Sequence, residues 1–169
     1  YSADESVHSA YDRLEIRRAI AEALQIPHYE RFPSGKEFRE VVRERVLHQQ
    51  NARSRLEGIL HPIVRQDFVE TKEAAIKKGV KLLVAEIPLY YETGAAFESE
   101  EVLVVAASRL TQLHRLQFYR SLDLQTAEEM LSMQMPLDEK IRRADFVIWN
   151  DGSLDALKAE LSVLHRAVS

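Results

Sequence analysis

The stretch VAEIPLYYETG, Val84 to Gly94, sets two carboxylates and two phenolic hydroxyls directly after an aliphatic run. Glu86 falls where the run ends, and Glu92 follows six residues later. Open α/β sheets place ligands beyond the carboxyl ends of their strands, so an acid at this point stands where chemistry is expected. A carboxylate is costly to bury unless a cation or strong donors accompany it, so Glu86 should have such company. It reads either as a structural acid held by backbone amides or one arginine, or as part of a site. Tyr90 and Tyr91 either roof the sheet, or stack on a base and donate to a phosphate.

Other candidate groups are sparser. The six histidines contain no H-x-x-x-H pair and no H-E-x-x-H run, so helical zinc spacing is absent. His8, His28, His48, His114 and His165 receive no role. Arg39, Arg43, Arg45, Arg53, Arg55 and Arg65 crowd the middle of the chain, either as a solvated helix face or as a wall facing a small phosphorylated ligand. A net charge of −4 gives the molecule no general attraction to nucleic acid. The absence of cysteine rules out disulfides and thiolate metal sites and suits a reducing cytoplasm, where we expect the protein. No apolar run approaches the ~18–20 residues that span a bilayer, so no membrane partner is expected. With 169 residues and 46% hydrophobic content, the sequence suits one domain with its own core.

The elements that must position these groups are legible from periodicity. Ile16, Ile20 and Leu24 recur at helical spacing before Pro27. Ser34 is expected to cap a helix with Phe38, Val41, Val42 and Val46 on one face. Leu56, Ile59 and Leu60 lead to His61-Pro62, where one helix should end and another start, with Val64 and Phe68 inward. Gly79 should close that second helix. VKLLVAEI (Val80 to Ile87), EVLVVAA (Glu101 to Ala107) and ADFVIWN (Ala144 to Asn150) read as strands covered on both faces. Thr126, with Glu129 three residues on, reads as a capping box. Ser153 should cap a last helix with Leu154, Leu157, Leu161 and Leu164 on one stripe. Buried strands alternating with helices predict an α/β fold, a parallel sheet with flanking helices in a single domain over residues 1–169.

Order and spacing go further. ILHPIVR (Ile59 to Arg65) precedes EIPLYYETG (Glu86 to Gly94), then TQLHR (Thr111 to Arg115), then AEEMLSMQMPLDEKIRRADFVIWNDGS (Ala127 to Ser153). This succession resembles the dephospho-coenzyme A kinase family, P-loop kinases of the nucleoside-monophosphate-kinase type. That family shows an H-P-hydrophobic-hydrophobic-R segment, a strand ending D-hydrophobic-P-L-L-F/Y-E-T/S-G, a lid opening Q-x-x-R, and a block Q-M-P/S…K…A-D-x-V-I-x-N-x-G. The resemblance covers nearly the whole chain and implies a helical acceptor-side region over 13–79 and a helical lid over 108–143.

The resemblance implies roles as well. YSADESVHSAYD is similar to the family's second strand and following helix, which carries a D-x-D pair. Asp4 takes the place of the second acid and would orient or deprotonate the acceptor hydroxyl, with Arg115 as the lid's catalytic cation. Asp4 would also suit the cap of a helix running from Glu5. His61, Arg65, Glu86, Tyr90, Tyr91 and Glu92 would shape the acceptor site. Arg120, Gln134, Lys140, Asn150 and Gly152 would serve the lid and the nucleotide, Asn150 and Gly152 beside the adenine. Glu86 could hold a magnesium-bound water. Several positions depart from the family: Ser2 replaces the first acid, Glu86 an aspartate and Tyr90 a leucine. Tyr119 and Met130 stand where lid arginines are usual.

One family motif is missing. Phosphoryl transfer needs the ATP phosphates cradled by G-x-x-x-x-G-K-S/T. None of the five glycines has another five residues away, and PSGKEF (Pro33 to Phe38) is only a fragment of such a motif. We expect the loop and its strand upstream of Tyr1, and we expect these 169 residues alone not to bind ATP-magnesium. The resemblance implies ATP-dependent phosphorylation of the 3′-hydroxyl of dephospho-coenzyme A, with Mg2+, giving coenzyme A and ADP. The other readings are a kinase of the same fold with another acceptor, or a non-catalytic relative that keeps a coenzyme A-shaped pocket.

Overall fold

A computed structural model describes residues 1–94, 97, 99 and 101–168. These group into two compact units, Tyr1–Pro88 and Leu89–Ser169.

The first unit is helical. It comprises α1 (Ala3–Ala10), α2 (Leu14–Leu24), α3 (Gly35–His48) and α4 (Ala52–Lys77), with a short 3-10 turn at Tyr29–Arg31. The expected apolar spacings close its core: Ile20, Leu24, Phe38 and Val42 are fully buried, with Ile16, Val41, Val46, Leu56 and Ile59 packed around them. Ser34 caps α3 by accepting from the amide of Glu37. Gly79 closes α4 at a φ of +66°, where the amide of Val80 reaches the Ala75 carbonyl and that of Gly79 reaches Ile76.

Gly35 opens α3 where it approaches the α1–α2 turn. Its amide donates to Asp12 Oδ1 at 3.2 Å, and a Cβ there would lie 2.7 Å from the Tyr11 carbonyl. The fragment that imitates a phosphate loop therefore has a packing reason for its glycine.

Two expectations give way in this unit. His61-Pro62 does not divide two helices: α4 runs unbroken through Pro62. Proline removes the bond to the Gly58 carbonyl and crowds it. Leu60, Val64 and Phe68 are buried along this stretch, and that packing outweighs the local preference to break. Among the described residues Val80–Ile87 forms no ladder, only one parallel bridge, between Glu86 and Ser2. Val80, Leu82 and Val84 are 49%, 48% and 65% exposed, because a single bridge leaves that face uncovered.

The second unit is α/β. Strands β1 (Leu103–Ala106) and β2 (Phe146–Trp149) pair in parallel, Leu103 opposite Phe146 and Ala106 opposite Trp149. The crossover carries α5 (Arg109–Arg120), α6 (Leu124–Ser132) and α7 (Leu137–Arg143), and α8 (Leu154–Val168) follows β2. Val104, Ala106 and Ile148 are buried, but Val105 and Trp149 are 55% and 46% exposed, so neither face of the pair is fully covered as expected. Asp123, not Thr126, caps α6, since its carboxylate takes both the amide and the hydroxyl of Thr126. Ser153 caps α8, and Glu160 reaches back to the amide of Trp149 at 2.9 Å. Along the leucine stripe of α8, Leu157 and Leu164 are half-buried while Leu154 and Leu161 are exposed.

Candidate functional site

In the first unit the bridge at Ser2 sets the geometry. The amide of Ala3 donates to the Glu86 carbonyl at 3.0 Å, and that of Glu86 to the Tyr1 carbonyl at 2.9 Å. Glu86 is thereby held beside Ser2, two residues before Asp4. Ser2, at the position of the family's first acid, caps α1 by accepting from the amide of Glu5. Asp4 is accordingly not the cap; it lies exposed in the first turn. Glu86 is exposed as well and needs none of the paired cations expected of a buried acid. His61 is half-buried and Arg65 exposed, four residues apart on one face of α4.

A network absent from the sequence reading ties α1 to α4. Asp67 accepts from Arg13 at 3.1 and 3.2 Å and from the buried Ser6 hydroxyl at 2.6 Å. These groups lie 54 to 61 residues apart in sequence, so local spacing carries no sign of them. They line an open groove with Ser2, Glu5 and Glu70.

In the second unit Leu89–Gly94 folds into a tight turn. The amide and hydroxyl of Thr93 both reach the Leu89 carbonyl, and Gly94 ends the turn at a φ of +80°. Glu92 projects from this turn into a paired site. Its Oε1 meets Lys140 Nζ at 2.7 Å and the amide of Met135 at 2.9 Å, with the two side chains only 17% and 15% exposed. Lys140 Nζ also reaches Gln134 Oε1 at 3.5 Å. Burial pushes the Glu92 carboxyl up, but the bonds from Lys140 and the Met135 amide outweigh it and leave it below its ordinary value. Lys140 thus links Glu92, from one motif, to Gln134, from its own.

The neighbouring tyrosines pack edge to face at 5.2 Å. Tyr90 shares a hydrogen bond with Ser99, and Tyr91 lies 6.0 Å beneath the Arg143 guanidinium. Burial, with Tyr90 and Asp145 nearby, raises the Tyr91 hydroxyl above its usual range against the opposing effect of Arg143. Arg143 is also paired with Glu139 on its own helix.

The carboxyl ends of β1 and β2 gather a second cluster. Arg115 donates to Asn150 Oδ1 at 3.3 Å, bringing a side chain of α5 to the asparagine that follows β2. Asp151 accepts from the amide and hydroxyl of Ser108, linking the two strand-end loops. Hydrogen bonds from Thr111 and Ser108 hold its carboxyl below the ordinary aspartate value. Sequence reading passed over Asp151, although an aspartate between a strand-end asparagine and a glycine is itself a turn signal. Gly152 follows, with space for a Cβ in ordinary contact with Ala156. Arg120 does not join Arg115: five residues on, it points about 140° away around α5. At position 119 the exposed tyrosine ring packs edge-on against Phe118, which stacks on His114.

A parallel pair of strands with a helical crossover, and polar groups gathered at the strand ends, define an α/β protein, and its likeness to solved structures gives it the P-loop kinase fold. A family model described as dephospho-CoA kinase matches residues 19–156, and the chain belongs to that family. A dephospho-CoA kinase of Bacillus cereus is 39% identical over 119 residues, 70% of this chain and 60% of that protein. One of Rhodopseudomonas palustris is 34% identical over 168 residues, 95% of this chain and 78% of that protein. The solved dephospho-CoA kinase of Campylobacter jejuni shares the fold, with a TM-score of 0.61 and 24% identity, covering all of this chain and 84% of that one. The chain thus spans between about three fifths and four fifths of the curated relatives it matches.

Proposed function

We propose that the full-length protein transfers the γ-phosphoryl of ATP to the 3′-hydroxyl of dephospho-coenzyme A, giving coenzyme A and ADP. One observation carries this reading beyond family membership. Residues from motifs far apart in sequence meet in pairs: Glu92 with Lys140, which also reaches Gln134 of its own motif, and Arg115 with Asn150. The segment that resembles the acceptor wall is bound to the block that resembles the nucleotide side. The lid arginine rests on the asparagine proposed to flank adenine.

Asp4, exposed beside the bridge to Glu86, is the proposed group that orients the hydroxyl and accepts its proton. His61, Arg65, Tyr90 and Tyr91 are proposed to line the acceptor, and Arg115 and Arg120 to neutralise phosphate charge, Arg120 only after the lid moves. Residues 13–79 and 108–143 are the proposed acceptor-side and lid regions of one catalytic domain.

Magnesium is the proposed metal. Among the described residues no group of three or more His, Asp or Glu forms a cage. The ion does not demand one, since it takes one or two carboxylates with waters and substrate phosphates. Asp4 and Glu86, both exposed, fit an outer contact to such a hydrated ion. Bound with ATP, it would neutralise charge on the transferring phosphoryl group.

The test is coenzyme A formation by the full-length protein, followed by product analysis with a panel of nucleoside and alcohol acceptors. Asp4→Asn should lower kcat by roughly 10²–10⁴-fold, the usual worth of a general base. Unchanged turnover in that variant would remove Asp4 from the chemistry.

A further inference from the structure

We propose that Lys140 is a positioning residue for the acceptor: by holding Glu92 it fixes the Leu89–Gly94 turn and with it the ring faces of Tyr90 and Tyr91. This rests on the function proposed above. The side chain of Lys140 is largely buried and is committed twice, to Glu92 Oε1 at 2.7 Å and to Gln134 Oε1 at 3.5 Å. An ammonium held in this way is poorly placed to follow ATP phosphates, the role its place in the nucleotide-side motif suggests. Glu92 is held from two directions, by Lys140 and by the backbone amide of Met135. The turn has further internal ties, from the amide and hydroxyl of Thr93 to the Leu89 carbonyl, from that hydroxyl to the Tyr90 carbonyl, and from the Gly94 amide to the Tyr91 carbonyl. Glu92 is thus the turn's anchor to the Gln134–Lys140 segment. Tyr90 and Tyr91 precede it directly, so a shift of Glu92 turns both rings.

The consequence is a division of labour. Loss of Lys140 leaves Glu92 a buried carboxylate held by one backbone amide, and the side chain then moves toward water. Acceptor binding suffers and ATP binding does not. In the full-length protein, Lys140→Met and Glu92→Gln should each raise KM for dephospho-coenzyme A about tenfold, as expected when a positioning group is misplaced by a fraction of an ångström. KM for ATP should stay within about twofold in both variants, a change worth less than ~0.5 kcal/mol. The double variant should be no worse than either single one, because both remove one interaction. Lys140→Arg should restore most of the acceptor KM.

A second readout is independent of catalysis. The Met135 amide should exchange with solvent faster in Lys140→Met than in the parent, measured by NMR. A rise in KM for ATP instead, or a lowered melting temperature with both KM values unchanged, would overturn the proposal. So would unaltered Met135 exchange. If Lys140→Met does not fold, the near-isosteric Glu92→Gln carries the same measurements. A parent protein that fails to turn over dephospho-coenzyme A would count against the proposed function, while the exchange measurement would still decide the role of Lys140.

Discussion

At the scale of single residues, two groups make the energetics concrete. Glu92 ordinarily titrates near 4.5 and is lower in the folded protein, where Lys140 and the Met135 amide favour its charged form over the opposing effect of burial. A depressed carboxyl adds stability in full above its unfolded value and loses it as the pH falls through the folded one. Acid titration of parent and Glu92→Gln should therefore give stabilities that differ at pH 7 and draw together as the pH falls from 4.5 through the lower folded value. A gap that persisted unchanged into acid would show that the carboxylate charge is not what stabilises the turn. Gly35 answers to sterics instead. A Cβ there would sit 2.7 Å from the Tyr11 carbonyl, which cannot rotate away as a side chain can. Gly35→Ala should cost about 1–3 kcal/mol in urea unfolding, the usual range for overpacking. The buried Tyr11, its hydroxyl pushed up to about 12 by burial, stays neutral at any physiological pH.

At the scale of elements, α4 shows where sequence reading succeeds and where it stops. The stripe of Leu60, Val64 and Phe68 was legible, because a 3.6-residue period leaves its mark on any helix with one buried face. The continuity of the helix through Pro62 was not. Whether proline breaks a helix depends on what packs around it, and that lies outside the local pattern. A Cβ at Gly58, four residues before the proline, would meet open space beyond the backbone of its own helix. Gly58→Ala should stabilise the protein by roughly 0.5–1 kcal/mol in chemical unfolding, through the lower entropy of the unfolded chain. A loss of stability would mean that Pro62 needs a glycine four residues before it. The caps divide the same way. Ser34, Ser153 and Gly79 follow from residue type, whereas Thr126 yielded to Asp123 because two good caps lay three residues apart. The pairs that build the candidate site lay further out of reach. Motif order named Glu92 and Lys140 but could not pair them, and nothing local marked Asp67 with Arg13 and Ser6.

At the scale of the whole molecule, the α/β class and the family were legible because strand-end and helix-start motifs keep their order along the chain. The coverage of Val80–Ile87 was not, since how many strands flank a segment is a property of the assembled sheet. Chelation is the measurement for the molecule as a whole. Removing divalent cations from the full-length protein should abolish coenzyme A formation, and added magnesium should restore it, if hydrated metal bridges the protein and the phosphates. Activity that survives chelation would refute the assigned metal. The parallel register of β1 and β2 also bears on how the chain reaches its native state. Some forty residues must be closed into a loop before the first hydrogen bond between these strands repays the lost chain entropy, so the pair cannot serve as an early nucleus. Helices α5, α6 and α7 are local and form first, and the sheet zips late. Substitutions in β1 or β2 should therefore act mainly on the rate of unfolding, and substitutions in the crossover helices on the rate of folding.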